Sequence, residues 1–114
     1  MDKTSSRRDM MVGAAAMAVV LTAAPVGAED HTVHDVEIKA FQFDPPAVQA
    51  QVGDTIRWTN RDLAPHTATA DEFGWDTETI TKGKSVEITV TDGMETSYFC
   101  AFHPQMTGTI ELLP

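Results

Sequence analysis

From residue 36 onward, hydrophobic and polar side chains alternate in short runs. Val36, Ile38 and Ala40 alternate with Glu37 and Lys39, and Val48, Ala50 and Val52 with Gln49 and Gln51. The same period continues at Ile56 and Trp58, at Val86, Ile88 and Val90, and at Ile110 and Leu112. A period of two places one face of each run against a core and the other toward water. Pro45-Pro46, Gly53-Asp54, Lys82-Gly83 and Asp92-Gly93 punctuate the runs, as turn residues do. No segment of this region sustains a 3.6-residue period; residues 71–75 read as a helical turn or an irregular loop. Short strands at close spacing predict an all-β domain, a sandwich or barrel, without internal repeats or linkers.

The first 28 residues follow a different rule. Lys3, Arg7 and Arg8 precede a charge-free stretch over residues 10–24, and Pro25-Val26-Gly27-Ala28 leads into Glu29-Asp30. This is the layout of a secretory signal peptide over residues 1–28, with cleavage after Ala28 and a mature domain over residues 29–114. Fifteen apolar residues are short for a bilayer, which needs about 20. With no Cys near the cleavage point, a lipid anchor there is excluded. Ser6-Arg7-Arg8-Asp9-Met10-Met11 resembles the twin-arginine export motif, with Met10 where that motif usually has Phe. Twin-arginine and general secretion both lead to a periplasmic location.

Charge and cysteine content narrow the function classes. The chain of 114 residues carries 17 acidic and 8 basic side chains, a formal charge of −9. Residues 29–114 hold 15 acids and 5 bases, a net −10. Nucleic acids and anionic lipid surfaces need clustered Lys and Arg, so neither is an expected partner. One Cys closes no intramolecular disulfide, which excludes a disulfide-stapled scaffold. The core of so short a domain is thin. Trp58, Trp75 and the five Phe are expected to fill it, and a bound metal would add stability by binding only the folded state.

The chemistry lies near the C-terminus. Tyr98-Phe99-Cys100-Ala101-Phe102-His103-Pro104-Gln105-Met106 brings a thiol, an imidazole and a thioether into seven residues. Given the Cys, chance puts His at +3 and Met at +6 in roughly 0.2% of cases for this composition. The strand ends near Cys100 and the next begins at Thr109, leaving a loop able to fold the three side chains around one point. Soft sulfur with borderline nitrogen and a weak thioether suits copper cycling between Cu(I) and Cu(II). A buried structural Cys, a catalytic Cys100–His103 pair and a zinc site are the competing readings. Met106 has no part in a thiol nucleophile, and a structural zinc site takes four Cys or His ligands. The other histidines are His31 and His34, near the frayed start of the mature chain, and His66. His66 follows Pro65, which stiffens its approach, and is the candidate second imidazole.

These residues resemble a family. Phe43-Asp44-Pro45, Val52-Gly53-Asp54-Thr55, Trp58-Thr59-Asn60, Pro65-His66 and the trio Cys100, His103 and Met106 look like the marks of a cupredoxin, a small type 1 (blue) copper protein. The resemblance covers residues 35–114, and the seven-residue ligand loop is similar to that of amicyanin-like members. It implies a Greek-key β-sandwich of about eight strands. It further implies one copper ion with His66, Cys100 and His103 in a trigonal plane and Met106 as the long axial ligand. Asn60 matches a family Asn that ties the His loop to the Cys loop. Its usual hydroxyl partner is replaced by Ala101, so the tie goes to backbone or is lost. Thr67 stands where the family often has Asn, and keeps the backbone N–H that donates to the Cys sulfur. Phe102 replaces a frequent Pro, whereas Pro104 matches.

With four ligand positions filled and none open for substrate, the expectation is a one-electron carrier rather than an enzyme. The alternative is a copper-trafficking protein of the periplasm. His103 is the expected electron exit, inside an apolar patch of Leu63, Ala64, Pro65, Phe102 and Pro104. The acids Asp71, Glu72, Asp76 and Glu78 would steer a basic redox partner. By analogy with amicyanin-like proteins the partners would be an amine dehydrogenase and a c-type cytochrome, and the domain is expected to act as a monomer away from the membrane.

Overall fold

The alternation in the sequence becomes eight strands in a computed structural model that describes residues 31–114. The expected signal peptide, residues 1–28, and Glu29-Asp30 lie outside the described residues. The strands are β1 (Val33–Lys39), β2 (Gln42–Asp44), β3 (Ala47–Ala50), β4 (Thr55–Asn60), β5 (Thr69–Ala70), β6 (Ser85–Thr89), β7 (Ser97–Phe99) and β8 (Thr107–Leu112). One sheet has the order β2-β1-β4-β6 and the other β3-β8-β7-β5. Parallel pairs β1–β4 and β3–β8 sit within otherwise antiparallel sheets. This is the Greek-key sandwich expected from the resemblance. Among the described residues no helix is long and apolar enough to cross a membrane.

The inward faces are those of the two-residue period. Val36 and Ile38 of β1, Ile56 and Trp58 of β4, Val48 and Ala50 of β3 and Ile110 of β8 are all buried. Trp58 stacks on Trp75 and meets Tyr98 edge-on, each at 5.5 Å between ring centroids. Gly108 of β8 passes beneath Tyr98, where a Cβ would collide with the phenol ring. Its missing side chain therefore admits the largest aromatic packing of the second sheet.

Four expectations are corrected. Ala40 and Val52 leave their alternating faces, because the strands end at Lys39 and Ala50 and the turns that follow carry both residues to the surface. Val86 and Ile88 are only half-buried, since β6 is a sheet edge. The phenylalanines do not fill the core: Phe43 is buried, but Phe41, Phe73 and Phe102 are exposed. His34 is not frayed. It lies in β1, and its Nε2 meets Asp54 Oδ2 at 2.9 Å. Residues 71–75 form an irregular turn, with Phe73 at φ 64°.

Asp54 fastens this end of the sandwich. Its carboxylate accepts the N–H groups of Thr32 and Gln51, each at 3.0 Å, and pairs with His34. Burial opposes its ionisation, but these donors prevail and hold its pKa down at about 2.

Candidate metal centre

At the opposite end of β4 the chain enters the loop that carries His66. Asn60, fully buried, organises this loop. Its Nδ2 donates to the carbonyls of Ala64 and Ile80, both at 2.8 Å, and its Oδ1 accepts the N–H of Asp62 at 2.8 Å. His66 then forms an antiparallel bridge with Ile80 through reciprocal backbone hydrogen bonds of 3.2 and 2.7 Å. Asn60 thus braces its own loop and does not reach the Cys loop.

Cys100 directly follows β7. The Cys100 N–H donates to the Met106 carbonyl at 3.0 Å, His103 N–H to the Cys100 carbonyl at 3.1 Å, and Met106 N–H to the His103 carbonyl at 2.8 Å. These bonds close the seven-residue segment into consecutive turns before β8 begins at Thr107. Three backbone N–H groups of the loop are thus satisfied within it, which holds its side chains in place.

The tie between the loops comes from Thr67. Its N–H points at Cys100 Sγ at 3.4 Å, as the resemblance implied. Its hydroxyl accepts the Ala101 N–H at 2.8 Å, so the position that lost a side-chain hydroxyl is tied through its backbone instead. Thr67 Oγ1 also meets Thr69 Oγ1 at 2.9 Å, and Thr69 donates onward to Asp76 Oδ1 at 3.1 Å.

The donor atoms converge. Nδ1 of His66 and Nδ1 of His103 each lie 3.7 Å from Cys100 Sγ, and the three ligand atoms all fall within 4.8 Å of one another. Two ligands at about 2.0 Å (nitrogen) and about 2.3 Å (sulfur) from one metal, 120° apart, are about 3.7 Å from each other. Cys100 and His66 are fully buried, Met106 is buried beside them, and His103 is half-buried. All four residues singled out in the sequence stand at this end of the sandwich.

Two residues were missed. Asp62 Oδ2 lies 2.9 Å from His66 Nε2, and the Asp62 carboxylate also accepts the N–H groups of Ala40 at 2.8 Å and Phe41 at 3.0 Å. Burial raises the Asp62 pKa, yet the backbone donors and the imidazole outweigh it and hold the group below the usual carboxylate range. Phe41 sets its ring edge-on to His66 (5.1 Å, 88°) and to His103 (4.8 Å, 87°). Asp62 carried one usable signal, its place four residues before His66. Phe41 carried none, because it is brought in by the β1–β2 turn. The expected apolar patch is present in part: Leu63 and Phe102 are exposed together with Pro65 and Pro104, and Ala64 is half-buried.

A two-sheet sandwich that gathers a buried thiol and two imidazoles at one loop end defines a class, the small single-copper β-sandwich proteins. The chain belongs to the cupredoxin-like domain family, whose model matches residues 10–110. Amicyanin of Paracoccus denitrificans is 28% identical over 80 residues, covering 66% of this chain and 61% of that protein. Amicyanin of Paracoccus versutus is 29% identical over 80 residues, with the same coverage. The chain thus spans 61% of the length of these relatives. Among solved structures, the crystal structure of Paracoccus versutus amicyanin matches with a TM-score of 0.63 at 27% identity, covering 75% of this chain and 88% of that one. A purple cupredoxin from Nitrosopumilus maritimus shares the fold, with a TM-score of 0.62 at 21% identity over 70% of this chain and 99% of that one. The cofactor of the family is one copper ion, and the soft thiol with two imidazole nitrogens at trigonal spacing fits it.

Proposed function

We propose that this protein is an exported type 1 copper protein that carries single electrons between redox partners by outer-sphere transfer. His66, Cys100 and His103 would hold the copper through two imidazole nitrogens and a thiolate, and Met106 would add a weak thioether. The observation that carries this reading is the convergence of a buried thiol and two imidazoles within 4.8 Å, beside a buried thioether. Bound copper supplies a one-electron couple.

The chain's own residues supply the rest. The hydrogen-bonded Cys100 loop and the bridged His66 hold the donors in place, so little has to move between oxidation states. The Thr67 N–H stabilises the thiolate of Cys100. His103, half-buried in a surface loop, offers its ring edge as the point of electron exit. Leu63, Pro65, Phe102 and Pro104 around it suit the small interface of a transient redox encounter. Asp71, Glu72, Asp76 and Glu78 are all exposed, and favour a partner with a basic face. A filled ligand set leaves no coordination position for substrate, which supports a carrier rather than an enzyme. The leader over residues 1–28, removed after Ala28, would place a monomeric domain in the periplasm.

The test is to add Cu(II) to the purified domain. An intense blue thiolate charge-transfer band and a reversible Cu(I)/Cu(II) wave at an electrode are expected. A colourless protein that takes zinc equally well would overturn the copper assignment. Ready loss of copper to a chelator with no reversible wave would instead favour periplasmic copper trafficking.

A further inference from the structure

The turn joining β1 to β2 has an unusual composition. Lys39 pairs with Gln42, so Ala40 and Phe41 form a two-residue hairpin loop. Both have left-handed backbones, at φ 52° and 58°. A type I′ hairpin turn has positive φ at both central positions, as here, and is normally built from Asn and Gly. Ala and Phe resist that conformation, so something outside the turn must hold it. The holder is Asp62, whose Oδ1 accepts the Ala40 N–H and whose Oδ2 accepts the Phe41 N–H.

The same Oδ2 meets His66 Nε2. A carboxylate only accepts, so Nε2 carries the ring proton and the Nδ1 lone pair is directed at the space beside Cys100 Sγ. The turn in turn aims Phe41 against both His66 and His103. One carboxylate therefore sets the tautomer of one imidazole and, through a strained turn, the aromatic wall that abuts both.

We propose that Asp62 is the positioning residue of the metal centre, fixing His66 directly and His103 through the Ala40–Phe41 turn and the Phe41 ring. The inference rests on the copper reading above for its purpose, but its geometry concerns the protein alone. Asp62 and Phe41 then act as one unit, and substitutions at the two sites are not additive.

The test uses Asp62→Ala, Asp62→Asn, Phe41→Leu and the double variant Asp62→Ala/Ala40→Gly. In copper-free protein, 15N NMR of the histidine rings should show His66 as the Nε2–H tautomer in the wild type. Asp62→Ala should abolish that preference. Asp62→Asn keeps an acceptor for Nε2–H and should retain the tautomer, and it serves if the alanine variant does not fold. Glycine at position 40 eases the turn, so the double variant should recover stability but not the tautomer. A purely structural role for Asp62 would restore both together. In copper-loaded protein, Asp62→Ala should weaken Cu(II) binding about 10- to 100-fold. Phe41→Leu, with the tautomer intact, should broaden the copper EPR signal as the imidazoles lose their common wall. An unchanged His66 tautomer in Asp62→Ala, with copper binding within about 2-fold of wild type, would overturn the proposal while leaving the copper reading intact. Failure of the wild type to turn blue would strike the copper reading, and the tautomer measurement would still decide the role of Asp62.

Discussion

The metal centre is built from side chains whose surroundings set their chemistry. Cys100 is the one thiol of the chain and is fully buried, with a backbone N–H aimed at its sulfur. Cys100→Ser is expected to abolish the blue band on copper addition, read by visible absorption. Met106→Leu should keep the colour and raise the potential, because a weakly held thioether at that position would favour Cu(II); voltammetry reads the shift. Thr67→Val keeps the N–H to sulfur but removes the acceptor for Ala101 N–H. It should cost about 1–2 kcal/mol of stability, a Tm fall of several degrees by thermal melt. Asp54 gives the pH dependence. Its pKa is lowered to about 2 from 3.8, so its ionised form stabilises the fold. That contribution is complete above about pH 4 and disappears as pH falls through about 2. Melting between about pH 5 and about pH 2 should therefore fall more steeply in wild type than in Asp54→Asn. The asparagine variant should be weaker by about 2 kcal/mol at neutral pH, having lost a charged acceptor.

The strands were legible in the sequence where alternation met burial on one face, as at Val36, Ile38, Ile56, Trp58 and Ile110. The four candidate ligands were legible because three share a loop and the fourth follows a stiffening Pro. What was not legible depended on contacts between distant segments. The β1–β2 turn lacks Asn and Gly and owes its shape to a carboxylate 21 and 22 residues away. Phe41 therefore read as core and proved to be a wall of the metal centre. The loop tie was expected from Asn60 and is made by Thr67, because the loss of a hydroxyl at Ala101 was offset on the opposite loop. Two changes test the elements directly. Ala40→Gly should stabilise the hairpin by about 0.5–1 kcal/mol, since glycine enters positive φ without a Cβ penalty. Gly108→Ala should cost about 1–3 kcal/mol, because its methyl would drive into the Tyr98 ring. Thermal melts of the two variants should move in opposite directions.

At the scale of the molecule, the two sheets position the loops that carry the donors. The copper-free domain should fold with the same strand pairing, and copper should add to its stability by mass action. At a copper activity 1,000 times its dissociation constant the gain is about 4 kcal/mol, visible as a Tm that rises with added copper. The order of the second sheet has a consequence in time. β8 is the last strand, yet it lies between β3 and β7, pairing Ala47 with Thr109 and Ser97 with Thr109. Until β8 docks, β3 and β7 have no common neighbour and the carbonyl of Met106 has no fixed position from which to close on Cys100. A chain in which β8 is unpaired thus presents a thiol and separate imidazoles, but no preformed pocket. A copper pocket of this geometry is therefore tied to the docking of β8, the step that fixes the carbonyl on which the Cys100 loop closes.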